Sequence, residues 1–169
     1  MTSILFVGDT HFGENYQEGY SENILETEGY QYTIDSFSDF LRDADSVIAN
    51  LETAITGLEE SPFEKTYLHW ADPDLTPNHL ASNNISAVSL ANNHSLDYGA
   101  EGLNDTLYAL EAQELSYFGA GLDKEDAARP YVQQFLVGGG RRLRQKGCQD
   151  ESQAGDSPVN GCFHCQSSP

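Results

Sequence analysis

Three short apolar runs, each broken off by a cluster of polar side chains, constrain this chain more than any other feature. Residues 3–8, SILFVG, end at Asp9, Thr10 and His11; residues 46–49, SVIA, end at Asn50, Leu51 and Glu52; residues 85–91, ISAVSLA, end at Asn92, Asn93 and His94. Apolar runs of this length read as buried strands. Helical patterns separate them. YTIDSFSDFLRDA (32–44) places Ile34, Phe37, Phe40 and Leu41 at helical spacing, and LTPNHLASN (75–83) is a shorter candidate. After the third run, GAEGLNDTLYALEAQ (99–113) sets Leu103, Leu107 and Leu110 along one helical face. LSYFGAG (115–121) reads as a fourth strand, and RPYVQQFLV (129–137) as one more strand or hairpin arm. Alternating strands and helices predict an α/β fold, mainly a parallel sheet with flanking helices, because each crossover helix must cover a sheet face. In such sheets ligands bind beyond the carboxyl ends of the strands. All three polar clusters are therefore expected along one edge.

The 169 residues have room for one domain with a sizeable core, or one domain and a tail. Residues 138–169 change character: glycine, serine, glutamine and proline replace apolar periodicity, and four of the eight basic residues lie there. The expected division is a folded part over 1–137 and a disordered tail over 138–169. Against 27 acidic residues, the eight basic ones leave a net charge of -19, which repels nucleic acid and anionic membrane surfaces and sets both aside as partners. ILFV is too short for the apolar core of a signal peptide, and no stretch approaches the roughly 20 apolar residues of a membrane span. Cytoplasmic localisation is the expectation by default. The three cysteines, Cys148, Cys162 and Cys165, all fall in the tail, where CFHC has the spacing of a zinc knuckle but, with Cys148 and His164, only an irregular ligand set.

The polar clusters carry the chemistry. Asp9 and His11 stand two apart, a spacing that lets a carboxylate and an imidazole approach one ion at a strand end. Carboxylate oxygen with imidazole nitrogen suits manganese, iron or zinc. Glu52 offers a second carboxylate, and Asn50 either a neutral oxygen ligand or turn chemistry. Asn93 could give its amide oxygen to a metal, whereas Asn92 reads as a cap or turn residue. His94 is placed to act as a general acid or as a donor to developing oxyanion charge, with Asp97 three residues on to orient the ring.

These residues resemble the CapA group of capsule and poly-gamma-glutamate synthesis proteins, within the calcineurin-like metallophosphoesterase superfamily. The resemblance rests on GDTHFG (8–13), ADSVIANLETAIT (44–56), SLANNHSLDYGAEGLNDTLYAL (89–110) and YFGAGLDKEDAARP (117–130), and it spans residues 3 to about 136. It implies a layered metallophosphoesterase-like fold and a two-metal site of divalent ions. Asp9 and His11 match the superfamily's first ligand motif, and Asn93 with His94 matches its Asn-His motif. Where the superfamily has a bridging aspartate, this chain has NLE, as the CapA group does, so either Asn50 or Glu52 bridges. Glu52 is preferred because a ligand between two cations benefits from negative charge. The implied partner is an anionic capsule polymer or its synthesis machinery.

The superfamily pattern continues into later strands that carry a histidine and a His-x-His motif, and neither is found in this sequence. The chain is therefore expected to be the front half of such a domain followed by an unrelated tail, with a site that holds metal weakly. Three roles follow: a metal-dependent phosphoesterase-like enzyme, a non-catalytic assembly or binding component of polymer synthesis, or an inactive truncated fragment.

Overall fold

The computed structural model describes residues 2–12, 28–135 and 161–162. Its centre is a parallel sheet of β1 (Ile4–Thr10), β2 (Ser46–Leu51), β5 (Ile85–Ser89) and β6 (Ser116–Phe118), in the order β1-β2-β5-β6. All four come from the expected apolar runs. Two further pairs are small: β3 (Ala54–Ile55) runs parallel to β4 (Trp70–Ala71), and β7 (Val132–Gln133) runs antiparallel to β8 (Gly161–Cys162). Four α-helices complete the described fold: α1 (Ser38–Asp43), α2 (Thr76–Ser82), α3 (Gly99–Ala112) and α4 (Lys124–Ala127). Apart from β8, the expected tail and its cysteine cluster lie outside the described residues.

Burial follows the strand assignment. Val47, Ile48, Ala49 and Leu51 of β2, with Ile85, Ala87 and Val88 of β5, are all buried. Leu103, Leu107 and Leu110 of α3 join the same core, as their spacing predicts. A hydroxyl fixes how α3 docks: the backbone N–H of Ile55 donates to Thr106 Oγ1 at 2.9 Å, so the helix is tied to β3.

The segment expected as one helix over 32–44 breaks into two 3-10 turns, Tyr30–Thr33 and Asp35–Phe37, before α1 begins. Short polar side chains compete for the backbone here. Thr33 Oγ1 donates to the Tyr30 carbonyl at 2.7 Å, and Ser38 Oγ to that of Asp35 at 3.3 Å. Of the expected apolar face, Ile34 and Leu41 are buried, whereas Phe37 and Phe40 remain 46% and 64% exposed. The last turn of α1 is closed from a distance, because Asn84, at φ 64°, donates to the carbonyls of Leu41 and Ala44, both at 2.9 Å.

Register aligns the strand ends. Asp9 pairs with Asn50 and Asn50 with Ser89 across the three neighbouring strands, which brings the polar clusters to one edge as expected. Thr10 Oγ1 donates to the Asn50 carbonyl at 2.8 Å, and the Glu52 N–H donates to the Thr10 carbonyl at 2.9 Å. Beyond β6, Gly119 at φ 84° lets the chain pass Ala91, whose Cβ would lie only 2.6 Å from any Cβ added at the glycine.

Candidate metal centre

Asn92 builds the turn that carries the site. Its Nδ2 donates to Asn50 Oδ1 at 3.1 Å and to the Leu51 carbonyl at 2.8 Å, while its Oδ1 accepts from the His94 N–H at 3.0 Å and from Ser95 Oγ at 3.2 Å. With every arm used inside the protein, it is a turn residue, as its position suggests. Asn50 is similarly engaged. Its Nδ2 donates to Asp9 Oδ1 at 2.8 Å and to Glu52 Oε1 at 3.3 Å, so one amide holds the two carboxylates side by side while its oxygen faces Asn92.

The strand pair β3–β4 adds a residue that the sequence patterns do not point to. The Ala54 N–H donates to the His69 carbonyl at 3.1 Å, and this pairing sets the His69 ring beside Glu52. His69 Nδ1 lies 2.6 Å from the Glu52 carbonyl oxygen. Since that oxygen can only accept, Nδ1 carries the proton and Nε2 the lone pair. His94 repeats the arrangement with a carboxylate: its Nδ1 lies 2.8 Å from Asp97 Oδ2. A second-sphere acceptor that fixes the imidazole tautomer is what metal-ligating histidines require.

Glu52, His69 and His94 each bring a ligand atom within 4.8 Å of the others. The rings of His69 and His94 stack in parallel, 3.5 Å apart with 1° between their planes, and His11 also stacks on His69, at 5.0 Å and 27°. Asp9 and His11 thus stand next to this group, linked to it through Asn50 and through ring contact. Asn93 is exposed and lines an open cleft of about 560 Å³, together with Lys65, Thr66, Tyr67, His69 and His94.

The electrostatics favour neutral imidazoles. Burial pushes the pKa values of His11 and His69 below the ordinary 6.5, and a neighbouring ring adds to the effect in each, His69 on His11 and His94 on His69. Asp97, only 1% exposed, shows the opposite balance. Burial alone would raise its pKa, but hydrogen bonds from Lys65, from the His69 N–H at 2.7 Å and from His94 hold it below the ordinary 3.8. The result is an ionised Asp97 that holds the His94 ring and the His69 main chain. The donor set, the Glu52 carboxylate and the tautomer-fixed nitrogens of His69 and His94 with Asp9 and His11 beside them, fits a borderline divalent ion.

Sequence patterns therefore locate Asp9, His11, Asn50, Glu52, Asn93, His94 and Asp97 in one region. They miss His69 and Lys65. Both lie in SPFEKTYLHW (61–70), which has no apolar periodicity, and the only local signal is a histidine directly before the Trp-Ala pair of β4.

Among known proteins, the family model described as "Bacterial capsule synthesis protein PGA_cap" matches residues 3–163. The chain is similar to the capsule biosynthesis protein CapA of Bacillus anthracis, 29% identical over 126 residues, covering 73% of this chain and 29% of that protein. It is also similar to the PGA biosynthesis protein CapA of Bacillus subtilis strain 168, 30% identical over 146 residues, covering 80% of this chain and 34% of the relative. A Mycobacterium tuberculosis protein, named "Probable polyglutamine synthesis accessory protein Rv0574c", is 39% identical over 99 residues, 59% of this chain and 25% of its own length. The chain spans about a third of the length of the two Bacillus relatives. Matched along nearly its whole length, this chain belongs to the bacterial capsule synthesis protein family PGA_cap.

Proposed function

We propose that this chain carries a divalent-metal centre that serves the synthesis of an anionic capsule polymer of the polyglutamate kind, with manganese, iron or zinc as the ion. The observation that carries the reading is the pair of histidines, His69 and His94, whose Nδ1 atoms are both committed to internal acceptors beside the Glu52 carboxylate. Glu52, His69 and His94 would hold one ion, and Asp9 and His11 would serve a second, with Glu52 rather than Asn50 between them. Asn93, exposed at the cleft, would offer its side-chain oxygen as a further ligand. A bound divalent ion would supply Lewis-acid polarisation of a phosphoryl oxygen.

The protein's own groups do the rest. Asp97 orients His94 so that Nε2 is the nitrogen presented either to an ion or, when protonated, to a leaving oxygen. Asn50 keeps Asp9 and Glu52 side by side despite their like charge. The cleft along Thr66 and Tyr67 gives an extended chain room to lie against the site. The relatives' names place them in capsule, PGA or polyglutamine synthesis, and the word "accessory" in one of them favours a second reading, a metal-holding assembly component without turnover.

Calorimetric titration with manganese and zinc, in salt high enough to screen the surface acids, tests the centre. Wild type should bind saturably, and His69→Ala and Glu52→Gln should each weaken binding by at least about tenfold. Equal binding in all three proteins would overturn the reading. Hydrolysis of a generic phosphodiester that needs added metal and disappears in His94→Ala would favour the enzyme; binding without turnover would favour the accessory role.

A further inference from the structure

The loop between β3 and β4 is fastened to Asp97 at two points. Ser61 Oγ donates to the Asp97 main-chain carbonyl at 2.6 Å, and Lys65 Nζ donates to the Asp97 carboxylate through Oδ1. Pro62 closes the same region, with its Cγ 3.1 Å from the position a Cβ would take on Gly99, the first residue of α3. The ammonium group of Lys65 makes two further approaches. It lies 3.0 Å from the Asn93 main-chain oxygen and 3.5 Å from His94 Nδ1.

The division of labour on Asp97 follows from these contacts. Oδ2 accepts from His94 Nδ1 and from the His69 N–H, while Oδ1 receives the lysine. An ammonium carries no lone pair, so at 3.5 Å from His94 Nδ1 it does not compete as an acceptor for that ring's proton. It sets the rotation of the carboxylate instead. Through the Asn93 carbonyl it also holds the peptide that leads into His94. Lys65 is 33% exposed along its side chain and Asp97 1%, so the contact is shielded on the carboxylate side and screening does not cancel it. The other described basic residues contact neither Asp97 nor His94: Arg42 pairs with Asp39 and Arg129 with Asp126, each within its own segment, and Lys124 is exposed on α4.

We propose that Lys65 is a positioning residue, fixing the Asp97 carboxylate and the Asn93 carbonyl so that His94 is held at Nδ1 and offers Nε2 to the cleft. This rests on the metal-centre reading only for its purpose, because the tautomer it dictates exists in the metal-free protein. Substrate or metal need not touch Lys65 for it to matter. The effect runs through two side chains, Asp97 and His94, and one carbonyl. His69 is the internal reference, since its Nδ1 answers to the Glu52 carbonyl and not to Asp97.

Long-range proton–nitrogen spectra of the imidazoles in the metal-free full chain decide the matter, with Lys65→Met, Lys65→Gln and Lys65→Arg compared against Lys124→Met. His94 in wild type and Lys124→Met should show a single tautomer protonated at Nδ1. In Lys65→Met and Lys65→Gln it should become a mixture while His69 keeps its signature, and Lys65→Arg should restore much of the wild-type pattern. Zinc affinity should then fall about 10- to 100-fold in Lys65→Met, the range typical of lost outer-sphere partners. An unchanged His94 tautomer in Lys65→Met and Lys65→Gln overturns the proposal. Should Lys65→Met not fold, the glutamine variant gives the same reading. Wild type that binds no zinc would sink the metal centre and leave the tautomer result to judge Lys65 alone.

Discussion

His94 and His79 are withdrawn from solvent to nearly the same degree, 7% and 4% exposed, in very different company. Among the described residues, the hydrogen-bond partners of His79, on α2, are neutral: Nε2 lies 3.2 Å from the Thr33 hydroxyl and Nδ1 3.4 Å from the Asn83 amide. Phe12 and Tyr30 meet its ring edge to face, at 5.4 and 5.5 Å between centroids. Both nitrogens face inward, so the ring acts as a packing element with polar rims. His94 instead gives one nitrogen to a buried carboxylate, stacks on a second imidazole and borders the cleft. Burial alone does not mark a reactive histidine. The charge of its partner and its place at the cleft are what set His94 apart from His79.

The comparison breaks most visibly at Asp97. Replacing it with alanine removes the acceptor of His94, Lys65 and the His69 N–H together, and should cost about 3–5 kcal/mol, as when one partner of a buried ion pair is lost. Urea denaturation gives that number, and zinc titration of the folded fraction should show the affinity falling with it. His79→Ala comes next, at about 2–4 kcal/mol for emptying an aromatic-lined site. Here zinc affinity should stay at the wild-type level. A His79→Ala protein that folds yet loses zinc as Asp97→Ala does would erase the distinction between the two rings.

A smaller effect appears with pH. Burial lowers the pKa of His79 below 6.5 in the folded chain, only partly opposed by Asp35, so the unfolded chain takes up the proton first as pH falls. The neutral ring's contribution is therefore complete above pH 6.5 and declines below it, at no more than about 1.4 kcal/mol per pH unit for one proton. His11 and His69 shift in the same direction, so the variant isolates the term. His79→Leu should show a shallower loss of stability between pH 6.5 and 5 than wild type. Parallel curves would mean that His79 is not held neutral.

What the sequence reveals follows the range of the interactions. The strand ends are legible because parallel strands of similar apolar length finish in line, and Asp97 is legible because it stands three residues from His94 in one turn. Residues brought in from 28 or 32 positions away, as His69 and Lys65 are to Asp97, leave no periodic trace. The 3-10 turns before α1 were hidden for another reason. Apolar spacing at Ile34, Phe37 and Leu41 indicates a helix, while Thr33 and Ser38 spend their hydroxyls on nearby carbonyls and leave Phe37 outside.

Trp70 follows His69 directly on β4, and its indole Nε1 donates to the Thr56 carbonyl at 2.7 Å. It is the one tryptophan of the chain. Its emission on excitation near 295 nm, about where tyrosine ceases to absorb, therefore arises from a single position one peptide bond away from the candidate centre. Half-buried and hydrogen-bonded, that indole is sensitive to small movements of β4 and to quenching by a paramagnetic ion such as manganese. The protein thus contains its own optical gauge of the site, readable without a label.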